Sequence, residues 1–568
     1  MIPDLERRRL MNYRRIILSA ATLAIASTAL AGCGGSKKPI DLNASSPSIE
    51  VMTTANKTGS PGQESPVVQA IEDHLGKKMS EKYGKQYDQV ILDINWVIST
   101  AYGEKVTASL GAGEYPNVML VTARNSSIIQ NSKHGTFWDI TDAFSKKDSK
   151  FVSEENPEGY VYPNLAQANP VINKNISVDG KITGIYRART IGREGITYRK
   201  DWVETLHKKG VLDFDEPKTM DDLDAMMKAF TENDPDGDGQ KNTYGMIVTV
   251  FLDGPLNNLA IWMNSPNEWG YDEKTGEWKP WFMSEGYFAA MTKMREWYAA
   301  GYINKNMATM DANDWDKEFL NGVGGIQIDV ADRARRNASN IAEKNPDAVV
   351  DVIGYVIGDT GVARTWPTTG YMGYYVVPHK TVETEEELDF ILSVLDECNS
   401  ETVVDLCNYG IEGVHYDINE DGKAVQKKDK DGNNLRSVDY QDLNQFSMGI
   451  LPHYELRTVY VNKTAEKVQE VYESNEEWAI NNPMAPYTSE SYAMSGTQLD
   501  AIISEAKTNY ITGNLDEEGY KKAVEQWLKM DGDLVCYDFT KAYEDDESNY
   551  DENGNLIIPD EYKYSFRF

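Results

Sequence analysis

Between Ile49 and Val121 the apolar residues switch between a period of two and a period of 3.6 with no tight hairpin turn to separate the strands. Few architectures accommodate such a run. Ile49 to Thr53 reads as a short strand, Thr54 to Ser65 as a polar loop, and Val67, Ile71, Leu75 and Met79 as one face of a helix. Val90, Leu92, Ile94 and Trp96 take alternate positions of a second strand, with Trp96 expected in the core. A helix over Ala101 to Leu110 and a strand over Asn117 to Val121 follow. Parallel strands need long crossovers, which helices supply, so the pattern predicts a parallel α/β sheet. Ligands of such sheets meet the loops beyond the carboxyl ends of the strands. That rule selects Asn56 and Lys57 after the first strand, and Arg124 and Asn125 after the third.

A second α/β run follows the polar stretch Glu154 to Pro170, which places a crossing between lobes near 168–178. Thr219 is positioned to cap a helix whose Leu223, Met226, Met227 and Phe230 share one face. That helix delivers the chain into an acidic loop. Asp234, Asp236 and Asp238 take the first, third and fifth positions of a calcium loop, Gly239 the sharp turn, and Gln240 a ligating carbonyl. Carboxylates so spaced repel one another, and a hard cation is the usual remedy. The twelfth position is Gly245, not the Glu of an EF-hand, so Asn242 or Thr243 must complete the shell. With no second hand, and with a strand expected over Met246 to Phe251, the loop reads as a structural Ca²⁺ staple rather than a sensor. The competing reading is a plain Asx-rich turn. Phe288, Met291, Met294 and Tyr298 mark a further helix, and Ile326, Ile328 and Val330 a strand.

Met11 to Arg15 form a basic segment, Ile16 to Leu30 an apolar one, and Leu30-Ala31-Gly32-Cys33 closes it with small residues. This is a secretory signal, too short for a comfortable membrane span. It looks like a bacterial lipobox, which implies a signal peptide over 1–32 and a lipid on Cys33; an uncleaved anchor helix is the alternative. Residues 33–48 read as a flexible tether. The remaining 536 residues (568 − 32) exceed one core. With 57 Lys and Arg against 90 Asp and Glu, the net charge of −33 repels phosphate backbones and anionic lipids. Nucleic acid is therefore not expected as a partner, and any membrane attachment is through lipid alone. Cys398, Cys407 and Cys536 lack metal-ligand spacing. Cys398 continues the apolar series Leu388, Ile391, Leu392, Leu395 and reads as a core thiol.

Several motifs follow one another in order: Glu114-Tyr115-Pro116-Asn117-Val118, Gly180-Lys181-Ile182-Thr183-Gly184-Ile185-Tyr186, Tyr198-Arg199-Lys200-Asp201-Trp202, Pro217 to Leu223, the Asp-Pro-Asp-Gly-Asp-Gly loop, Phe319 to Gly322, Tyr409 to Tyr416 and Tyr510 to Gly513. Together they resemble the family 1 extracellular solute-binding lipoproteins of bacterial ABC importers, of the LplA-like and alginate-oligosaccharide-binding type. Asn117 stands where that family often has Asp, and Asn242-Thr243 where it often has an acid. The resemblance implies a two-lobed α/β periplasmic-binding-protein-like fold with crossing hinge segments and a ligand cleft between the lobes. Lobe one is expected from 49–172 plus 370–450 and lobe two from 173–369 plus 451–568, with a strand over Tyr371 to Val377 and a final crossing near Leu451-Pro452. It also implies a monomeric receptor on the extracellular face of the cytoplasmic membrane, partnered by ABC permease subunits and an oligosaccharide.

A sugar offers apolar ring faces and many hydroxyls, so its site needs aromatic platforms beside amides, carboxylates and Arg. Beyond Asn56, Lys57, Arg124 and Asn125, the expected set is Trp262 and Asn264, then Asp329, Asp332 and Arg333, then Arg364, Trp366 and Tyr371 near the hinge, and Trp478 before the Asn481 to Tyr487 loop. Trp262 competes for a place in the core, and Asp329, Asp332 and Arg333 could equally form a surface ion-pair cluster. The cationic members would also suit an acidic sugar. HExxH, Gly-x-Ser-x-Gly and a phosphate loop are missing, so no enzyme is expected. The competing readings are a lipid-anchored glycoside hydrolase and a surface glycan-binding lipoprotein.

Overall fold

The computed structural model describes residues 40–55, 62, 64–435, 443 and 462–568. Its strands in chain order are β1 (Ser48–Ala55), β2 (Ile91–Ile98), β3 (Val118–Val121), β4 (Gly184–Ala188), β5 (Glu194–Arg199), β6 (Tyr244–Met246) and β7 (Trp269–Asp272). There follow β8 (Glu277–Pro280), β9 (Gly324–Val330), β10 (Val350–Ile353), β11 (Tyr371–Val376), β12 (Tyr416–Ile418) and β13 (Ala424–Gln426). The described chain divides into two units. The first holds residues up to Thr190 and those from Thr369 to 443, and the second holds Ile191–Thr368 and 462–568.

The first unit is built on a sheet of order β2-β1-β3-β11-β4, in which β1 runs parallel to β2 and β3, and β11 antiparallel to β3 and β4. All four residues of β3 are buried, as a strand covered on both faces requires. The helix Pro66–Tyr83 starts at Ser65, whose hydroxyl accepts the Val68 N–H, and stops at Gly84 in the left-handed region. It buries the expected face of Val67, Ile71, Leu75 and Met79. Trp96 is only half-buried, because β2 lies at the sheet edge. The expected crossing near 168–178 is displaced: β4 pairs with β11, which keeps the chain in this unit as far as Thr190. Nor is the stretch 40–48 a free tether. Leu42 accepts from Tyr87 Oη and Ser45 from the Asp88 N–H at 2.7 Å, while Ile40 is buried.

In the same unit Asp396 is buried and accepts the Asn164 and Leu165 N–H groups at 2.9 Å each. Burial pushes its carboxyl up to about 7. The folded protein thus keeps a proton that the unfolded chain, with a value near ~3.9, has released. Native stability from this group therefore falls as pH rises from about 4 to about 7 and falls no further above that. Asp396→Asn, which retains the accepting oxygen, should flatten this part of a pH–melting curve; an unchanged slope would remove Asp396 as its source.

The second unit has a sheet of order β10-β5-β9-β6, with β5 antiparallel to both neighbours and β6 parallel to β9. The helix Met220–Glu232 opens on a capping box between Thr219 and Asp222 and buries Leu223, Met226, Met227 and Phe230 as expected. β6 is shorter than the anticipated Met246 to Phe251 strand. The chain leaves the sheet so that Val250 and Phe251 stand exposed before the helix Asp253–Trp262. Every residue of that helix after Asp253 is buried. Trp202, Trp262 and Trp278 fill the core around it. Two α/β units of this kind make the two-lobed periplasmic-binding-protein-like class. Cys398, Cys407 and Cys536 are buried thiols, none of them in a disulfide. Among the described residues no helix is long and apolar enough to cross a membrane.

Candidate functional site

In the second unit, the ends of β6, β9 and β10 and the start of β5 share one edge of the sheet, since Glu194 pairs with Val330 and Ile353 with Ile196. Asp329, Asp332 and Arg333 stand there. Arg333 donates to Asp329 at 2.9 Å and to Asp316 at 2.6 Å, and its guanidinium lies 4.5 Å over the Trp315 ring. Arg193 donates to Asp332 at 3.1 Å. The three predicted residues are therefore brought together and already paired within the unit. Phe251, 45% exposed and packed edgewise on Trp315, stands beside them. Sequence reasoning passed it over because it was assigned to a strand.

Trp262 is 1% exposed, so its ring offers no face to a ligand in this structure. The surrounding helix is buried all round, and no helical stripe marks an outward side. Arg364 closes that helix, donating to the carbonyls of Ile261 and Ser265 at 3.0 Å each and to Tyr564 Oη at 2.9 Å. Cations are favoured at this end of the helix dipole. Just beyond, Asn264 and Glu268 both adopt left-handed backbone (φ 66° and 60°), a conformation that costs a side-chain-bearing residue energy and clusters at functional sites. Asn264 is exposed.

Trp366 and Trp478 come to the same neighbourhood. Thr365 donates its N–H to the Trp478 carbonyl at 2.9 Å and accepts that of Ile480 at 3.1 Å, so the two segments lie side by side. Asn267 donates to the Ile480 carbonyl at 2.8 Å, and Asn482 to the Glu268 carboxylate at 2.6 Å. The Trp366 ring is 6.3 Å from that of Trp281, both half-buried. Glu268 is solvent-accessible yet surrounded by protein, and this desolvation pushes its carboxyl upward against the Asn482 hydrogen bond. The result is one surface with indole faces, two amides and a carboxyl group. Glu268, Trp281 and Asn482 escaped sequence reasoning, as they converge from separate segments; the left-handed Asn264 and Glu268 leave no local signature.

In the first unit Asn125 caps the helix Ser126–Lys133 by accepting the Ile128 N–H at 3.1 Å. Arg124 is half-buried and donates to the Ser177 carbonyl at 2.6 Å. Tyr371 opens β11 and packs against Tyr374 with ring centroids 6.4 Å apart. Asn56, Lys57 and Cys33 lie outside the described residues, as do the signal segment 1–32 and Leu451-Pro452.

The acidic loop follows the helix Met220–Glu232. One oxygen from each of Asp234, Asp236 and Asp238 lies within 4.8 Å of the others, an arrangement that could hold a metal ion. Gly237 and Gly239 make the turn with positive φ. Asp234 Oδ1 is buried with no hydrogen-bond partner among the described residues. Burial and the repulsion of Asp234 and Asp238 push the Asp236 carboxyl up. An orphaned buried oxygen among like charges fits an oxygen-seeking cation. Asp238 already accepts from the Gln240 N–H at 2.7 Å and from Asn242 Nδ2 at 3.0 Å. Thr243, expected as a ligand, is buried and donates its hydroxyl to the Phe230 carbonyl at 2.8 Å.

Comparison with known proteins adds four findings. Residues 78–410 match the family described as bacterial extracellular solute-binding protein. Lipoprotein LipO of Bacillus subtilis (strain 168) is 31% identical over 528 residues, 92% of this chain and 97% of its own length. The polygalacturonan/rhamnogalacturonan-binding protein YtcQ of the same organism is 31% identical over 459 residues, 80% of this chain and 85% of its own. Among solved structures, an extracellular solute-binding protein from Bifidobacterium longum subsp. infantis is similar at a TM-score of 0.64 and 16% identity, covering 88% of this chain and 98% of that one.

Proposed function

Because the chain belongs to the bacterial extracellular solute-binding protein family, we propose that it is the lipid-anchored receptor of an ABC importer, capturing an oligosaccharide by lobe closure. The family is one of binding proteins, in keeping with a receptor that performs no catalysis. The observation that carries the sugar reading is the second-unit surface where Trp366 and Trp281 stand beside Asn482 and Glu268, with the Trp478 segment laid against that of Trp366. Indole faces take sugar rings while amides and a carboxyl group take hydroxyls. A relative spanning 80% of the chain is named for binding polygalacturonan and rhamnogalacturonan, which supports the same class. Another, over 92% of the chain, is named a lipoprotein, which supports lipid on Cys33 and an extracytoplasmic address. ABC permease subunits are the proposed partners.

Calorimetric titration with a panel of oligosaccharides tests this reading, together with small-angle scattering. The expected result is saturable binding with a smaller radius of gyration; binding of peptides alone would overturn it. Calcium at Asp234, Asp236 and Asp238 is proposed as structural. At a free concentration about a hundredfold above Kd, it should stabilise the protein by about 2.7 kcal/mol and raise the melting midpoint relative to chelator. Identical melting curves would leave an acidic turn without a cation.

A further inference from the structure

In the second unit the helix Glu490–Ile511 carries a glycine in its interior, Gly496, whose backbone is not in the left-handed region. Glycine weakens a helix at such a place, and no turn or cap requires it there. What it supplies is room. A Cβ on Gly496 would lie 3.1 Å from both Cε2 and Cζ of Tyr492 and 3.2 Å from its Cδ2. Three contiguous ring atoms so nearly equidistant place that point over the face of the ring, since a point off the edge is much closer to one atom than to that atom's neighbours. The Tyr492 ring therefore lies flat along the helix, over the glycine. Its hydroxyl donates to Asp500 at 2.8 Å, and its N–H is held by the Ser489 cap at 3.0 Å. Tyr492 is nonetheless 43% exposed, whereas Tyr287, Tyr510 and Tyr520, also borne on helices, are buried. With one face on the helix and the hydroxyl tied, the open part of the ring is its other face.

This ring belongs to the surroundings of Glu268. The Glu268 carboxylate lies within electrostatic reach of the Tyr492 hydroxyl. It also accepts from Asn482 at 2.6 Å, while the Glu268 carbonyl accepts the Trp281 N–H at 2.7 Å. The helix Asp533–Glu544 fixes the two segments to each other. Its Phe539 packs on Trp269 with ring centroids 4.5 Å apart, and its Asp538 accepts the Ser489 hydroxyl at 2.8 Å and the Ser491 N–H at 3.0 Å. Glu268 is thus shared between two aromatic neighbourhoods, the indoles of Trp281 and Trp366 and the phenol ring of Tyr492. A ring held flat and open beside a carboxyl group and an amide suits the apolar face of a pyranose, and one already immobilised loses little freedom on binding.

We propose that Tyr492 is a sugar-stacking platform separate from the Trp281 and Trp366 pair, and that it takes a further ring of the oligosaccharide. This inference rests on the oligosaccharide reading and adds a subsite to it. Tyr492 touches the ligand, and Gly496 and Asp500 position it. Affinity grows with chain length until the ligand reaches both aromatic neighbourhoods.

Calorimetry on the intact chain tests the proposal with mono- to pentasaccharides of glucose, galactose, mannose and galacturonate. At least one series should tighten as it lengthens. Tyr492→Ala should abolish that gain, weakening the longest member about ten- to a hundredfold. Tyr492→Phe keeps the face and should stay within about threefold of the parent. Gly496→Gln separates binding from folding. Gln is a better helix former than Gly, so this variant should melt no lower than the parent. Its side chain fills the space under the ring and lifts it, so the gain with length should be lost as in Tyr492→Ala. Either variant, folded and binding every length as the parent does, would overturn the proposal while leaving an oligosaccharide receptor, and so would an affinity that does not change with length. Failure of every series to bind the parent would instead remove the oligosaccharide reading, and this inference with it.

Discussion

Trp262→Ala should destabilise the protein by about 3–5 kcal/mol, the range for truncating a large aromatic in a packed core. The indole is 1% exposed amid Leu256, Leu259 and Met291, so deletion leaves a cavity that the helix Asp253–Trp262, buried along its length, has little room to collapse into. Trp262→Phe should cost much less. The indole Nε1 is buried with no hydrogen-bond partner among the described residues, and replacing it by carbon removes an unsatisfied donor along with some contact area. Denaturant melts of both variants measure the difference. A folded Trp262→Ala protein of parental stability with weakened ligand binding would return the ring to the site.

Asn475→Leu is expected to cost about 2–4 kcal/mol, from two buried acceptors left unpaired. Its side-chain amide donates to the carbonyls of Gly192 at 3.1 Å and Glu194 at 2.7 Å, and its backbone carbonyl, which the substitution keeps, accepts the Thr365 hydroxyl at 2.7 Å. These contacts tie the entry of β5 to the segment that carries Trp366 and Trp478. The packing is close enough that a Cβ on Gly354 would fall 1.9 Å from Asn475 Oδ1. Melting and ligand titration should therefore fail together in Asn475→Leu, whereas an unaltered midpoint would show that water replaces the amide.

Where one element met solvent on one side and core on the other, the pattern was legible. The helices Pro66–Tyr83 and Met220–Glu232 bury the residues that their periodicity selects, and the second opens on the cap that Thr219 predicts. Legibility failed where partners are remote or faces are equal. β4 joins the first sheet through β11, nearly two hundred residues away (376 − 184 = 192), and nothing near Gly184 announces it. Trp262 sits in a helix buried on all sides, so periodicity could not tell ring-in from ring-out. Residue chemistry selected Asp329, Asp332 and Arg333 together, but that Arg333 pairs with Asp329 and Asp316, and Asp332 with Arg193, is a matter of distance, which composition does not carry. Trp366 and Trp478 were chosen singly; that Thr365 lays their segments together, and that Asn482 reaches Glu268, depends on folding.

The acidic loop begins where the helix Met220–Glu232 ends, so its carboxylates crowd the negative pole of that helix. Lys209 offers partial relief, donating to the Asp234 carbonyl at 2.7 Å. A divalent ion there would neutralise the pole as well as the three side chains, acting as a C-terminal cap that the sequence does not encode in glycine. Amide exchange should then report the ion first in the last turn, from Ala229 to Glu232, and only weakly in the strand beyond.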